Sequence, residues 1–104
     1  MRVGIDVGGT KTHIVIDRDG TRGSIRVPTA QWCVGDLLAD RGNAERLVAL
    51  FAADHSSSSD DVLVVGAHGC DNEQQRSEFE RRLAEHFPGR TVVVNDSALL
   101  GPPR

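Results

Sequence analysis

The chain has 104 residues, 38% of them hydrophobic and 26% charged, with a formal net charge of −3. That balance fits one globular domain spanning 1–104 with a modest core. It excludes collagen-like, disordered and membrane-spanning classes, since no apolar run approaches the ~18 residues of a spanning helix. The absence of a lysine or arginine block argues against nucleic acid as a partner. No basic-then-apolar leader follows Met1, so a cytoplasmic protein is expected.

Residues 3–7, Val-Gly-Ile-Asp-Val, read as a short strand broken by Gly8-Gly9. Residues 12–17 alternate as a second strand ended by Asp19-Gly20, a hairpin signal, and residues 24–27 form a third, stopped by Pro28. Links this short join antiparallel neighbours, so the chain opens on a meander. A loop over 28–35 carries Thr29, Gln31 and Trp32. Residues 36–54 read as a helix with Asp36 as its cap and a break or kink signal at Gly42-Asn43.

After a polar serine-rich connector, residues 62–65 are a continuous apolar run, the pattern of a strand buried on both faces. Residues 66–71 form the loop after it. Residues 73–87 read as a charged amphipathic helix with Phe79, Leu83 and Phe87 at spacing four, ended by Pro88-Gly89. Residues 91–94 are the last strand, followed by Asn95-Asp96. The order β-β-β-α-β-α-β predicts an α/β fold, a mixed five-stranded sheet with helices packed on it. The segments 6–12, 66–71 and 95–96 all fall at the edge formed by the carboxyl ends of the parallel strands, where open α/β sheets bind ligands.

Asp6-Val7-Gly8-Gly9-Thr10-Lys11-Thr12 has the chemistry of a phosphate cradle. Glycines admit an anion close to backbone N–H groups, Thr10 and Thr12 add hydroxyls, and Lys11 adds a charge. Asp6 is a candidate ligand for Mg²⁺, which favours a carboxylate together with phosphate oxygens. The link joins two strands, so it is neither a Walker-type loop nor a dinucleotide fingerprint, both of which open a helix. Cys33 and Cys70 lack metal-ligand spacing and read as free thiols.

The segment 4–12 resembles the first phosphate motif of the actin/hexokinase/Hsp70 superfamily. With Gly66-Ala67-His68-Gly69-Cys70-Asp71 and Val92-Val93-Val94-Asn95-Asp96, the chain is similar to the BadF/BadG/BcrA/BcrD-type ATPases, which include N-acetylglucosamine kinases. This resemblance implies the ribonuclease H-like half of an actin-type ATPase domain, ATP and Mg²⁺ as cofactors, and phosphoryl transfer to a sugar-like hydroxyl. It implies nucleotide contacts at Asp6, Gly8, Gly9, Thr10, Lys11 and Thr12, with Asp6 at the metal. Asp96 would be the general base, and Thr29, Trp32, Gly69, Asp71 and Asn95 would contact substrate. Trp32 reads either as a sugar-stacking ring or as core, Asp96 as a base or as a helix cap, and His68 as a contact or a solvated loop residue.

Family members carry a second phosphate motif and an adenosine loop later in the chain, and residues 97–104 contain neither. The expectation is therefore weak or absent kinase activity for these 104 residues, and self-association through apolar surface at 92–94 as a homo-oligomer. The alternatives are an ATPase activating a radical dehydratase or reductase, a hydantoinase-type N-terminal region, and a non-catalytic half-domain that binds a partner or dimerises.

Overall fold

A computed structural model describes residues 1–52, 58–67 and 72–94. In chain order these form β1 (Arg2–Val7), β2 (Lys11–Arg18), β3 (Thr21–Pro28), a 3₁₀ turn (Thr29–Gln31), α1 (Gly42–Ala52), β4 (Val62–Ala67), α2 (Glu73–Ala84) and β5 (Arg90–Val94). The five strands make one mixed sheet in the order β3-β2-β1-β4-β5. The antiparallel meander and the two parallel additions are both as expected. Among the described residues no helix is long and apolar enough to cross a membrane.

Turn chemistry sets the register. Asp19 (φ 52°) and Gly20 (φ 81°) both lie in the left-handed region, the backbone of a two-residue hairpin between the paired Arg18 and Thr21. Alternation then sends Val3, Ile5 and Val7, Ile14 and Ile16, Leu63, Val65 and Ala67, and Val93 to one face, all buried. Leu47, Val48 and Phe51 of α1, Phe79 and Leu83 of α2, and Phe87 join that same core. Phe51 and Phe87 meet edge to face, with ring centroids 6.0 Å apart. On the other face Gly4, Val15, Val64, Val92 and Val94 are only half-buried. The apolar run of β4 is thus deeply buried on one side only.

Both helices are shorter than their periodicity suggests. The first begins at Gly42 rather than Asp36 because the preceding chain is wrapped around Asn43. The Asn43 side chain is fully buried; its amide donates to the Val34, Asp36 and Leu37 carbonyls, and its Oδ1 accepts from Val34 N at 2.8 Å. Asp40, not Asp36, supplies the local cap, accepting from Gly42 N at 2.8 Å. The second helix ends at Ala84, where the chain tightens and His86 N donates to Leu83 O. Phe87 therefore reaches the core from beyond the helix.

The edge where the parallel strands begin is closed by Asp61. Its carboxylate accepts from the Met1 ammonium at 2.7 Å and from Ser58 N at 2.8 Å, and its carbonyl accepts from Arg90 N at 2.9 Å. Gly89 lies against it so closely that a Cβ there would collide with the Asp61 carbonyl oxygen.

Candidate functional site

At the opposite edge, β1 and β4 end side by side at Val7 and Ala67, and Gly66 pairs with Val94 of β5. Two of the three chemically loaded segments continue from these strand ends, but Gly69, Asp71, Asn95 and Asp96, with His68 and Cys70, lie outside the described residues. The site is therefore built from the β1–β2 hairpin and the turn after β3.

The register Val7 to Thr12 leaves Gly8, Gly9, Thr10 and Lys11 to turn the chain. Gly8 N donates to Lys11 O at 2.9 Å, so that N–H is committed within the hairpin. A Cβ on Gly8 would lie 3.0 Å from the same oxygen, whereas a Cβ on Gly9 would have nothing within 4 Å. Neither glycine has a positive φ; the demand at Gly8 is close approach, and the space in front of Gly9 is open. Gly9, Thr10 and Lys11 are exposed at the tip. Among the described residues no acceptor takes the Gly9 or Thr10 N–H.

Asp6 stands one residue before this turn's strand end, on the sheet face opposite the core. Its Oδ1 is buried and has no hydrogen-bond partner among the described residues. A carboxylate oxygen removed from water needs a partner, and a divalent cation with phosphate oxygens is the kind of group that supplies one. Directly across the ladder from Asp6 lies His13, whose Nε2 is likewise buried without a partner among the described residues. Residue-type scanning passes over His13. Counting back from the hairpin link, which pairs residue 7 with 12 and so 6 with 13, would have found it. Arg26 follows His13 in the same row.

Thr12, Thr29 and Trp32 are occupied internally. Trp32 is 1% exposed and Thr12 is 0% exposed, so the indole is core and offers no ring face to a sugar in this arrangement. The indole Nε1 donates to Thr12 Oγ1 at 2.9 Å. Thr12 and Thr29 hydroxyls share a 2.9 Å bond, and Thr29 Oγ1 donates to Gly8 O at 2.8 Å. Thr29 N donates to Thr10 O at 2.9 Å. The Thr12 hydroxyl read as a phosphate donor thus lies beneath the hairpin rather than at its tip.

Cys33 follows in the same turn as a free thiol. Burial pushes its pKa up, only partly offset by Arg46, which favours the protonated thiol over the thiolate. Among the described residues no group of three or more His, Cys, Asp or Glu side chains forms a metal cluster. Comparison of the sequence with models of known protein families and with curated proteins returned no match.

Proposed function

We propose that this chain binds the phosphates of ATP with Mg²⁺ at the β1–β2 hairpin and is the phosphate-holding part of a sugar kinase-like phosphotransferase. In this reading it is the ribonuclease H-like half of an actin-type ATPase domain of the BadF/BadG/BcrA/BcrD kind. The observation that carries it is the conjunction of an open, exposed Gly9–Thr10 tip with a buried carboxylate oxygen on Asp6 that has no partner among the described residues.

In this reading the backbone N–H groups of Gly9 and Lys11 donate to phosphate oxygens, and the Lys11 side chain neutralises charge. Asp6 is the residue that would hold Mg²⁺, which when bound offsets the charge of the transferring phosphoryl group. Asp96 is assigned by resemblance as the base that takes the proton of the acceptor hydroxyl. Asn95, Gly69 and Asp71 are assigned as acceptor contacts on the same ground. Thr12, Thr29 and Trp32 hold the hairpin instead of touching ligand. A second reading, a half-domain that binds a partner or dimerises, draws on the half-buried Val15, Val64, Val92 and Val94 of the sheet face opposite the core.

Calorimetric titration with Mg-ATP and with N-acetylglucosamine separates the two. Wild-type binding of Mg-ATP that weakens about tenfold or more in Asp6→Asn, at unchanged thermal stability, supports the phosphate reading. Failure of the wild-type chain to bind either ligand favours the half-domain.

A further inference from the structure

One residue holds the hairpin link by two of its carbonyls. Thr29 Oγ1 donates to Gly8 O at 2.8 Å and Thr29 N donates to Thr10 O at 2.9 Å. In a trans peptide the carbonyl and the N–H that follows it point in opposite directions, and the described chain has no cis peptide. Fixing Gly8 O and Thr10 O on Thr29 therefore turns the N–H groups of Gly9 and Lys11 to the side of the link away from Thr29.

The direction of every proton behind this clamp follows from donor inventory. An indole nitrogen can only donate, and each threonine hydroxyl has a single hydrogen. Trp32 Nε1 donates to Thr12 Oγ1, and Thr29 spends its hydrogen on Gly8 O. The 2.9 Å bond between the hydroxyls must then run from Thr12 to Thr29. The chain is Trp32 to Thr12 to Thr29 to Gly8 O, with one allowed orientation. It is shielded from water, since Trp32, Thr12 and Thr29 are 1%, 0% and 8% exposed. Its far end is anchored on α1, where Arg46 Nε donates to Trp32 O at 2.7 Å and Arg46 Nη2 donates to Asn43 Oδ1 at 2.7 Å.

We propose that Thr29, oriented by Thr12 and Trp32, is a positioning residue that aims the Gly9 and Lys11 N–H groups of the hairpin at a phosphate anion. The proposal rests on the phosphate reading above and adds to it the device that keeps the donors pointed before the anion arrives. Donors fixed in advance need no reorganisation on binding, which is where their advantage over mobile ones lies.

The test uses the isotope-labelled 104-residue chain, Mg-ATP as probe, and the variants Thr29→Ser and Thr29→Val. Without ligand, Gly9 and Lys11 amide order parameters should match those of the strands in wild type and Thr29→Ser, and fall in Thr29→Val. On titration, Thr29→Val should bind Mg-ATP about tenfold more weakly, with Thr29→Ser restored to near wild type. The resonance of the only indole N–H in the chain, Trp32, should shift with occupancy. Should Thr29→Val fail to fold, Trp32→Phe removes the distant donor together with part of a buried ring, and should give a smaller loss in the same order parameters and affinity. Wild-type binding with Thr29→Val equal to it in amide order and affinity overturns the positioning role alone. Absence of Mg-ATP binding by wild type overturns the phosphate reading and the anion role together.

Discussion

Gly8 and Gly9 are neighbours with different physical duties. At Gly8 a methyl would press on Lys11 O from 3.0 Å, while at Gly9 it would enter open space. Gly8→Ala should therefore cost stability, about 1 kcal/mol or ~4–8 °C in melting temperature for a domain of this size. Gly9→Ala should leave the melting temperature within ~2 °C and weaken Mg-ATP binding severalfold by occupying the approach to the tip. Thermal melts and titrations of the two variants check this; unaltered binding by Gly9→Ala would remove the tip from the site. The placement of Gly8, Gly9, Lys11 and Asp6 at one hairpin was legible in the sequence because it is carried by residue type and spacing along one strand pair. The duties of Thr12 and Trp32 were not. What a hydroxyl or an indole N–H bonds to depends on the turn that β3 brings back over the hairpin, and no local pattern encodes that.

Elements were legible where the signal was local. The Asp19-Gly20 hairpin, the meander and the start of α2 all lie where turn and cap chemistry puts them. Asn72 accepts from Gln75 N at 2.9 Å, and Gln75 reaches back to Asn72 N in a capping box. The start of α1 was misjudged because the apolar spacing at Leu37 and Leu38 is helical while their backbone is not. Leu37 O is held by the Asn43 side chain, which also holds Val34 and Asp36. The two asparagines should differ in cost. Asn72→Ala removes an exposed cap and should destabilise by about 1 kcal/mol. Asn43→Ala strands several buried backbone groups and should cost about 3 kcal/mol. Denaturant midpoints measured side by side check the ranking, and equal losses would mean that the 34–40 loop finds other partners.

Across the whole molecule, the sheet has a pinned edge and, at the opposite strand ends, the edge proposed to hold phosphate. The starts of β1, β4 and β5 meet at Asp61, through Met1, Val62 and Arg90, while the hairpin lies at the other ends of the same strands. The bond from the Met1 ammonium, with help from Ser58 N, holds the Asp61 carboxyl below its ordinary range. A carboxyl lowered in the folded state contributes stability that is complete above the unfolded value of ~3.9 and is lost as pH falls through the lowered value. Asp61→Asn should therefore cost about 1.5–3 kcal/mol near neutral pH, the worth of a charge-assisted bond. The gap between wild type and variant should begin to close as pH drops below ~4, where the unfolded chain's carboxyl takes up its proton, and be gone once pH has passed the lowered folded value. Melting curves of both proteins from neutral pH into acid test this, and a gap independent of pH would show that packing at Gly89, not charge, sets the cost. Because Asp61 and the hairpin lie at opposite strand ends, Asp61→Asn should keep wild-type Mg-ATP affinity at temperatures where it is folded. A variant that loses both together would show that the hairpin's geometry depends on the strand starts being pinned.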